Sequence, residues 1–336
     1  MASASDQPVL GVARGSRHEH TLPATDTLPA LALDILIAPP PAAGAVGRAT
    51  VLYVLDPEPI LFGAACLAAY AGAGYYASAR DDAPEAAFKS MFVIGIGHRA
   101  ADCSANETTW DSVKLRDLRR RDFPPHNHPS RDSTRKPNLH SQRLAEAMSE
   151  RLFTHIERDL LHLDSGEVGA RTLLGASYSA ALALQVFLHD EALRAQGTAP
   201  AAPLQHLILG SPSLPFDPEL MERLRAMPLR PPGQWAAFIA YGALEREPPP
   251  PADAPQTPTP GVPFTGDRRN VHRHIPDAAD VLADVLAGRG FAVDGAHSIA
   301  GEDHTSLKLS LVSRGVSWLC ERWVVPAPSA KRRRQA

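Results

Sequence analysis

The sequence predicts an α/β fold in which a mostly parallel central sheet carries helices on both faces. Short runs of aliphatic and β-branched residues alternate along the chain with stretches of helical periodicity, and this alternation is typical of βαβ units. Several of these runs are apolar without interruption, as expected of strands that are covered on both faces. Polar residues stand directly after them, where parallel sheets place their functional side chains.

Turn signals bound the predicted elements. The first strand ends at Pro39-Pro40-Pro41, and the second ends at Asp56, where a proline-containing turn leads into a helical pattern. The predicted strands cover residues 31–38, 49–55, 91–97, 171–175, 206–210, 235–242 and 291–293. The predicted helices cover residues 61–68, 144–160, 270–288 and 307–323 and a stretch that begins at 178. In the second of them, apolar residues recur every four positions from Leu144 to Leu160.

One large domain accounts for most of the chain. A sequence of 336 residues, 44% of them hydrophobic, can bury a sizeable core. We assign the domain to residues 23–326, with a flexible leader at 1–22 and a basic, solvated tail at 327–336. A long polar loop at 98–140 and a proline-rich insertion at 246–267 interrupt it. A loop as long as the first of these is more often functional than idle.

The composition argues against several classes of partner. The formal net charge of −3 gives no indication of a nucleic-acid surface. Cys66, Cys103 and Cys320 form no CxxC pair, which favours free thiols over a disulfide framework. The pair His126 and His128 lacks the spacing of a metal site, so we expect no metal and no cofactor.

The sequence also lacks signals for membrane targeting. Its N-terminus has no basic start followed by an apolar core, and no apolar run approaches the ~20 residues that a membrane helix needs. We therefore expect a cytoplasmic protein that acts on a small molecule and does not bind a membrane.

The stretch 171–184 has the pattern of a strand, a sharp turn and a helix. The apolar run ends at Gly175, Ser177 follows two residues later, and a long apolar helix pattern begins at once. A serine on such a turn is lifted clear of the sheet above the helix N-terminus, where it can act as a nucleophile. A serine at a helix start can also be a simple cap. The candidate acid and base later in the chain favour the nucleophile.

A serine nucleophile needs an imidazole base, and the imidazole needs a carboxylate to fix its tautomer. His304 lies in a short polar loop before the last helix, and Glu245 follows an apolar strand, so both are expected at the same edge of the sheet as the serine. Glu247 is the alternative acid, and His297 is the nearest competing histidine.

Two backbone N–H groups are expected to bind the oxygen that becomes negative during acyl transfer. One is that of Tyr178, directly after the nucleophile. The other is expected in the turn after the second strand, where Pro57 and Pro59 carry no N–H. Glu58 is the candidate donor there, and Asp56 is the alternative.

These motifs resemble the esterase-D-like branch of the α/β-hydrolases, with a pattern most similar to enterochelin and ferric-siderophore esterases. The resemblance runs from about residue 31 to residue 323. Its pieces are Val51–Asp56, Val93–Gly97, Arg121–Pro124, Gly175–Ser179, Gly210–Leu214, Tyr241–Glu245 and Gly301–His304. It implies an α/β-hydrolase fold, with Ser177 as nucleophile, Glu245 as acid and His304 as base. Ser179 and Pro57 depart from it, since each stands where that family has a glycine.

We therefore expect a serine carboxylic-ester hydrolase that works through an acyl-enzyme on siderophore-like or other aryl and acyl esters. Arg121, Trp110 and Trp235 are candidate substrate contacts. The alternatives are a structural pair of Arg121 with Asp122 and buried packing of the two tryptophans. Two alternatives stay open: an acyltransferase that uses the same three residues, and a non-catalytic scaffold that binds a ligand or partner.

Overall fold

The computed structural model describes residues 8–9, 13–26, 30–38, 48–57, 59–78, 91–98, 113–124, 138–164, 166–199, 202–214, 218–231, 233, 235–246 and 274–323. Within these residues the strands are β1 (Pro8–Val9), β2 (Ala13–Arg14), β3 (Ser16–Leu22), β4 (Leu31–Ala38), β5 (Ala49–Leu55), β6 (Met91–His98), β7 (Val168–Ala176), β8 (Leu204–Gly210), β9 (Trp235–Gly242), β10 (Phe291–Ala292) and β11 (Ala296–Ile299). The helices are α1 (Pro59–Ser78), α2 (Val113–Asp122), α3 (Leu139–Ala147), α4 (Tyr178–Ala195), α5 (Pro218–Ala226), α6 (Ile275–Ala287) and α7 (Leu307–Trp323).

The main sheet has the strand order β10-β9-β8-β7-β5-β6-β4-β3. The strand β11 also pairs with β9, farther along β9 than β10 does. Every pairing from β10 to β6 is parallel. The pairings of β4 with β6 and of β3 with β4 are antiparallel. The strands β1 and β2 form a separate antiparallel pair. The predicted mostly parallel sheet is confirmed.

Helices cover both faces of this sheet, also as predicted. Alternate residues of β5 show the two sides: Tyr53 belongs to the core under α3, α4, α5 and α6, and Val54 belongs to the core under α1 and α7. Both side chains are fully buried. Burial on both faces explains why the central strands have uninterrupted apolar sequences.

The prediction that residues 1–22 form a flexible leader is wrong for Ser16–Leu22, which form the edge strand β3. The strand pairs with β4 along its whole length, from Ser16 opposite Ile37 to Leu22 opposite Leu31. Leu22 is buried, but the rest of the strand is polar and lacks the apolar alternation by which strands are predicted. Polar side chains are typical of an edge strand, whose outer side has no sheet neighbour.

The prediction of an unstructured polar loop at 98–140 is also wrong in part. It contains α2, whose sequence is too densely charged to show an apolar stripe. His98 is the last residue of β6, and its Nε2 lies 2.7 Å from Oδ2 of Asp122, with both side chains buried. Asn138 caps α3 by accepting a hydrogen bond from the His140 N–H and donates to the Pro124 carbonyl at 2.7 Å. These contacts tie both ends of the segment to the domain.

The helix that begins as α3 continues through the π-helical turns Met148–Leu152 and His155–Leu160. This explains the spacing of its apolar residues. Positions four apart drift by about 40° per step around an α-helix of 3.6 residues per turn. The wider π turns reduce this drift. Leu144 and Ile156, three such steps apart, are both buried in the same core.

Arg171 on β7 is fully buried and is held by a buried acid from the second π turn. Its Nε and Nη2 donate to the two carboxylate oxygens of Glu157 at 2.6 and 2.7 Å, and its Nη1 donates to the Ala202 carbonyl at 2.6 Å. Tyr53 donates to the same carboxylate at 2.9 Å. Burial acts to lower the pKa of Arg171, but its hydrogen bonds and attraction to Glu157 raise the pKa above its ordinary value.

Several predictions fall outside the described residues. They concern the proline-rich insertion beyond Arg246, the basic tail at 327–336 and Cys103. Cys66 and Cys320 are buried free thiols, and burial raises the pKa of each to about 12. The single domain at 23–326 stays a prediction. Among the described helices, none has the length and apolar character needed to cross a bilayer.

We predict that Glu157→Gln lowers the free energy of unfolding by about 3–5 kcal/mol, because it leaves a buried guanidinium without a compensating charge. Urea unfolding followed by circular dichroism measures this. Asp159→Asn on the same helix is the control, since it removes an exposed carboxylate whose partner is His155. We expect the control to change the free energy by no more than about 1 kcal/mol. Equal effects of the two substitutions would contradict the prediction.

Candidate active site

Ser177 occupies a strained turn between β7 and α4. Its backbone angles are φ 60° and ψ −119°, a conformation that side-chain-bearing residues rarely adopt. The Ser177 N–H donates to the Gly210 carbonyl at 2.8 Å, which fixes the turn to β8. A Cβ on Gly175 would overlap the backbone carbonyl of Ser179, so only glycine lets the helix begin this close to the strand.

Ser179 stabilises the same turn, although it replaces a glycine of the family that the sequence resembles. Its hydroxyl donates to the Ala176 carbonyl at 2.8 Å, and it accepts from the Ala176 N–H at 2.9 Å. The side chain is buried. Because the small hydroxyl satisfies both backbone groups, the departure from glycine does not disturb the turn.

His304 links the serine to the acid. Its Nε2 lies 2.9 Å from Oγ of Ser177, and its Nδ1 lies 2.9 Å from Oε2 of Glu245. An ionised carboxylate only accepts hydrogen bonds, so Nδ1 carries the proton and Nε2 is left to accept the serine hydroxyl. The loop that carries His304 packs closely on β9, because a Cβ on Gly242 would overlap the carbonyl of Glu302.

Glu245 ends the short 3₁₀ turn that follows β9, and its side chain is buried. Its Oε1 accepts from the Gly242 N–H at 2.8 Å and from the Ser211 hydroxyl, and its Oε2 faces His304. Burial acts to raise the pKa of Glu245, but the hydrogen bonds from His304 and Ser211 outweigh it and hold the pKa below its ordinary value. The acid is therefore a carboxylate at neutral pH.

The turn after β8 adds two serines, Ser211 and Ser213, for which the sequence predicts no role. Ser211 bonds to the acid, and Oγ of Ser213 lies 3.1 Å from Oγ of Ser177. Both serines are buried. The available signal was their position: two hydroxyls flank Pro212 directly after a central strand.

The turn after β5, where the second oxyanion donor is predicted, is held on both sides of the sheet. Arg119 of α2 forms an ion pair with the Asp56 carboxylate. On the other side, a Cβ on Gly97 would lie 2.7 Å from Cδ of Pro57, so the glycine makes room for the proline ring. The Asp56 N–H donates to the Ile96 carbonyl at 2.9 Å and is not available to a substrate oxygen.

The structure describes one of the two predicted oxyanion donors, Tyr178. Tyr178 is the first residue of α4 and directly follows Ser177. Its N–H therefore has the position expected of the first donor. Glu58 lies outside the described residues and stays a prediction.

The structure describes two of the three predicted substrate contacts, Trp235 and Arg121. Trp235 begins β9, at the opposite end of the strand from Glu245, and it packs in the core against Phe187 and Phe291 with ring centroids 5.4 and 5.1 Å away. Its aromatic surface is used in core packing, which is the alternative to the predicted pocket lining. Arg121 donates to Asp122 at 2.5 and 2.8 Å, as in the structural alternative. Trp110 lies outside the described residues.

A cavity of about 310 Å³ lies between α5 and α6. It is lined by four apolar residues and three charged ones: Leu214, Met221, Ala278, Val281, Glu222, Arg225 and Asp277. Leu214 directly follows Ser213, so this cavity adjoins the turn that touches the candidate nucleophile. In the described part of the chain, no group of three or more His, Cys, Asp or Glu side chains could hold a metal ion.

No known protein-family model and no curated protein matches the sequence. Solved structures do match it. The siderophore hydrolase EstB from Aspergillus nidulans gives a TM-score of 0.59 at 17% identity, over 97% of this chain and 99% of that one. The siderophore hydrolase EstA from Aspergillus nidulans gives a TM-score of 0.56 at 18% identity, over 96% of this chain and 98% of that one. The BES protein from Bacillus cereus gives a TM-score of 0.53 at 17% identity, over 93% of this chain and 95% of that one.

Each of these matches covers at least 93% of this chain and at least 95% of the other. The chain has the α/β-hydrolase fold. The α/β-hydrolase fold predicted from the sequence is therefore confirmed. In this fold the nucleophile follows one strand, the acid comes later in the chain, and the base comes last. Ser177, Glu245 and His304 follow that order.

We predict that Glu245 contributes to stability at neutral pH and that this contribution is lost in acid. The folded pKa of Glu245 lies below the ordinary value of 4.5, so the unfolded state binds more protons just below that pH. The difference in unfolding free energy between the wild type and Glu245→Gln should therefore be largest above pH 5. It should shrink as the pH falls through the folded pKa.

Urea unfolding between pH 3 and pH 7 measures this difference. Glu222→Gln on α5 is the control, since it removes a carboxylate that is 70% exposed. A wild-type advantage over Glu245→Gln that grew toward acid pH would contradict the sign of the pKa shift.

We also predict that Gly97→Ala impairs the turn at Asp56 and Pro57. The new methyl group would lie 2.7 Å from a proline ring that cannot rotate away, so the turn must shift. If that turn supplies an oxyanion donor, kcat for an ester falls by about 10²-fold, with a smaller change in KM. Gly166→Ala is the control, because a Cβ there meets no atom within 4 Å. Equal kcat values for the two variants would show that this turn does not contribute to catalysis.

Proposed function

We propose that the chain is a serine carboxylic-ester hydrolase with Ser177 as nucleophile, His304 as base and Glu245 as acid. The observation that supports this best is the continuous path of hydrogen bonds from Oγ of Ser177 through both ring nitrogens of His304 to Glu245, each link 2.9 Å long. The three residues lie far apart in the sequence. A purely structural role would not need the imidazole to be shared between a strained serine and a buried carboxylate.

In acylation, Nε2 of His304 takes the proton of Ser177 while Oγ attacks the ester carbonyl carbon. Glu245 stabilises the imidazolium that forms, and its pKa keeps it ionised for this role. The carbonyl oxygen becomes negative and is bound by the Tyr178 N–H at the N-terminus of α4, with a second donor predicted at Glu58. The imidazolium then protonates the leaving alcohol, and Ser177 retains the acyl group.

In deacylation, water donates a proton to Nε2 of His304 and its oxygen attacks the acyl carbon. The tetrahedral intermediate collapses as the imidazolium returns that proton to Oγ of Ser177. The products are a carboxylic acid and free enzyme. If an alcohol takes the place of water, the same three residues carry out acyl transfer.

We further propose siderophore-like or other aryl and acyl esters as the substrate class. The likeness in fold to two proteins named as siderophore hydrolases supports this choice. We assign the acyl or aryl group to the cavity beside Leu214, whose lining combines apolar side chains with the charged residues Glu222, Arg225 and Asp277.

We predict that wild-type protein hydrolyses p-nitrophenyl acetate and butyrate and that Ser177→Ala lowers kcat/KM by about 10⁴-fold or more. A fluorophosphonate probe should add covalently to the Ser177 peptide, as detected by mass spectrometry. His304→Ala should lose both the activity and most of the labelling, because the hydroxyl is then no longer deprotonated.

Ser313→Ala on the exposed side of α7 is the control and should keep both properties. Full activity in Ser177→Ala would refute the proposed nucleophile. Absence of labelling and of hydrolysis in the wild type would favour the non-catalytic scaffold. Product analysis with and without an added alcohol separates hydrolysis from acyl transfer, and a ferric-siderophore ester assayed beside the p-nitrophenyl esters tests the substrate class.

A further inference from the structure

The turn Gly210–Leu214 after β8 contacts both ends of the hydrogen-bonded path. The Ser211 hydroxyl donates to Oε1 of Glu245, and Oγ of Ser213 lies 3.1 Å from Oγ of Ser177. The relative exposures of Ser211 and Ser213 are 1% and 3%, so solvent does not compete for either hydroxyl. One short turn thus holds the acid and the nucleophile at the same time.

The direction of the second hydrogen bond follows from the proton of the nucleophile. A hydroxyl has one hydrogen to donate. If Ser177 donates to Nε2 of His304, it has none left for Ser213. The Ser213 hydroxyl must then donate to Oγ of Ser177, so the nucleophilic oxygen accepts one hydrogen bond and donates another.

Backbone contacts hold this turn at the site. The Ser213 N–H donates to the Ser177 carbonyl at 3.2 Å, and the Ser211 N–H donates to the Ala240 carbonyl of β9 at 2.7 Å. Ser211 has a φ of 40°, in the left-handed region that non-glycine residues seldom occupy. Pro212 restricts the backbone between the two serines. Strain of this kind persists where the surrounding contacts over-determine the conformation, as they do here.

We propose that Ser213 is a further residue of the catalytic machinery, which donates a hydrogen bond to the nucleophilic oxygen, and that Ser211 positions the acid. This inference rests on the proposed function. As Oγ of Ser177 gives up its proton, its negative charge grows, and a charge-assisted hydrogen bond from Ser213 becomes stronger. The same bond fixes the Ser177 rotamer toward His304. Ser211 acts through Glu245, whose carboxylate orients the imidazole.

Steady-state kinetics of Ser213→Ala with p-nitrophenyl butyrate test the role of Ser213. We expect kcat to fall about tenfold or more, since hydrogen bonds to charged groups contribute about 1.5–3 kcal/mol, and KM to stay within about twofold. The rate of labelling by the fluorophosphonate probe should fall in parallel, because it reports the attack by Ser177 alone. Ser213→Thr keeps a hydroxyl and should recover part of both rates.

Ser141→Ala is the matched control, since it removes another buried serine hydroxyl, one that bonds to Phe123 and Gln185 away from the site. We expect its kcat to match that of the wild type, although its thermal stability falls. A drop in Ser213→Ala no larger than in Ser141→Ala would assign Ser213 a structural role only. Melting temperatures of all variants distinguish lost folding from lost chemistry.

The pH profile separates the two serines. Ser211→Ala removes one donor from Glu245, so the acid-side loss of kcat/KM should move to higher pH, whereas Ser213→Ala should lower the plateau without that movement. If the wild type is active and labelled and Ser213→Ala is equally active, this inference is overturned and the proposed function is not. A wild type that neither hydrolyses esters nor takes the probe overturns the proposed function and this inference with it.

Discussion

The parallel register of β7, β8 and β9 is the constraint on which the candidate active site depends. Ala176 pairs with Gly210, and Gly210 pairs with Ala240, so the three strands reach the same edge at matching positions. Ser177 directly follows β7, and the turn that carries Ser211 and Ser213 directly follows β8. Side chains that are far apart in the chain are thereby brought within hydrogen-bond distance without any long loop. A one-residue slip of either pairing would turn every side chain of the shifted strand to the opposite face and separate these groups.

Much of this arrangement could be predicted from the sequence, because it depends on local patterns. Uninterrupted apolar runs identify the central strands, and the turn at Gly175 and Ser177 has a signature of small residues. Glu245 and His304 follow predictable elements. Other features depend on contacts between distant segments and leave no local pattern. The pairing of β3 relies on backbone hydrogen bonds, and the choice between a pocket and the core for Trp235 depends on its packing against Phe187.

The two departures from the resembled family have different explanations. Ser179 satisfies the backbone of Ala176 with its own hydroxyl, so its effect is local. Pro57 depends on other positions: Gly95 and Gly97 on β6 leave the space that its ring occupies, and Arg119 holds the preceding residue. Substitutions at Pro57, Gly95 and Gly97 are therefore expected to be coupled, since restoring a glycine at 57 would leave a void beside β6.

The two edges of the main sheet limit how copies of this chain can associate. At one edge, β3 presents a polar row that includes Arg17 and Glu19. At the other, the pairing with β9 is divided between two short strands, Phe291–Ala292 and Ala296–Ile299, with a break between them. Charged or interrupted edges are poor templates for a strand from another molecule. Self-association through a shared intermolecular sheet is therefore disfavoured at both edges of the sheet that the structure describes.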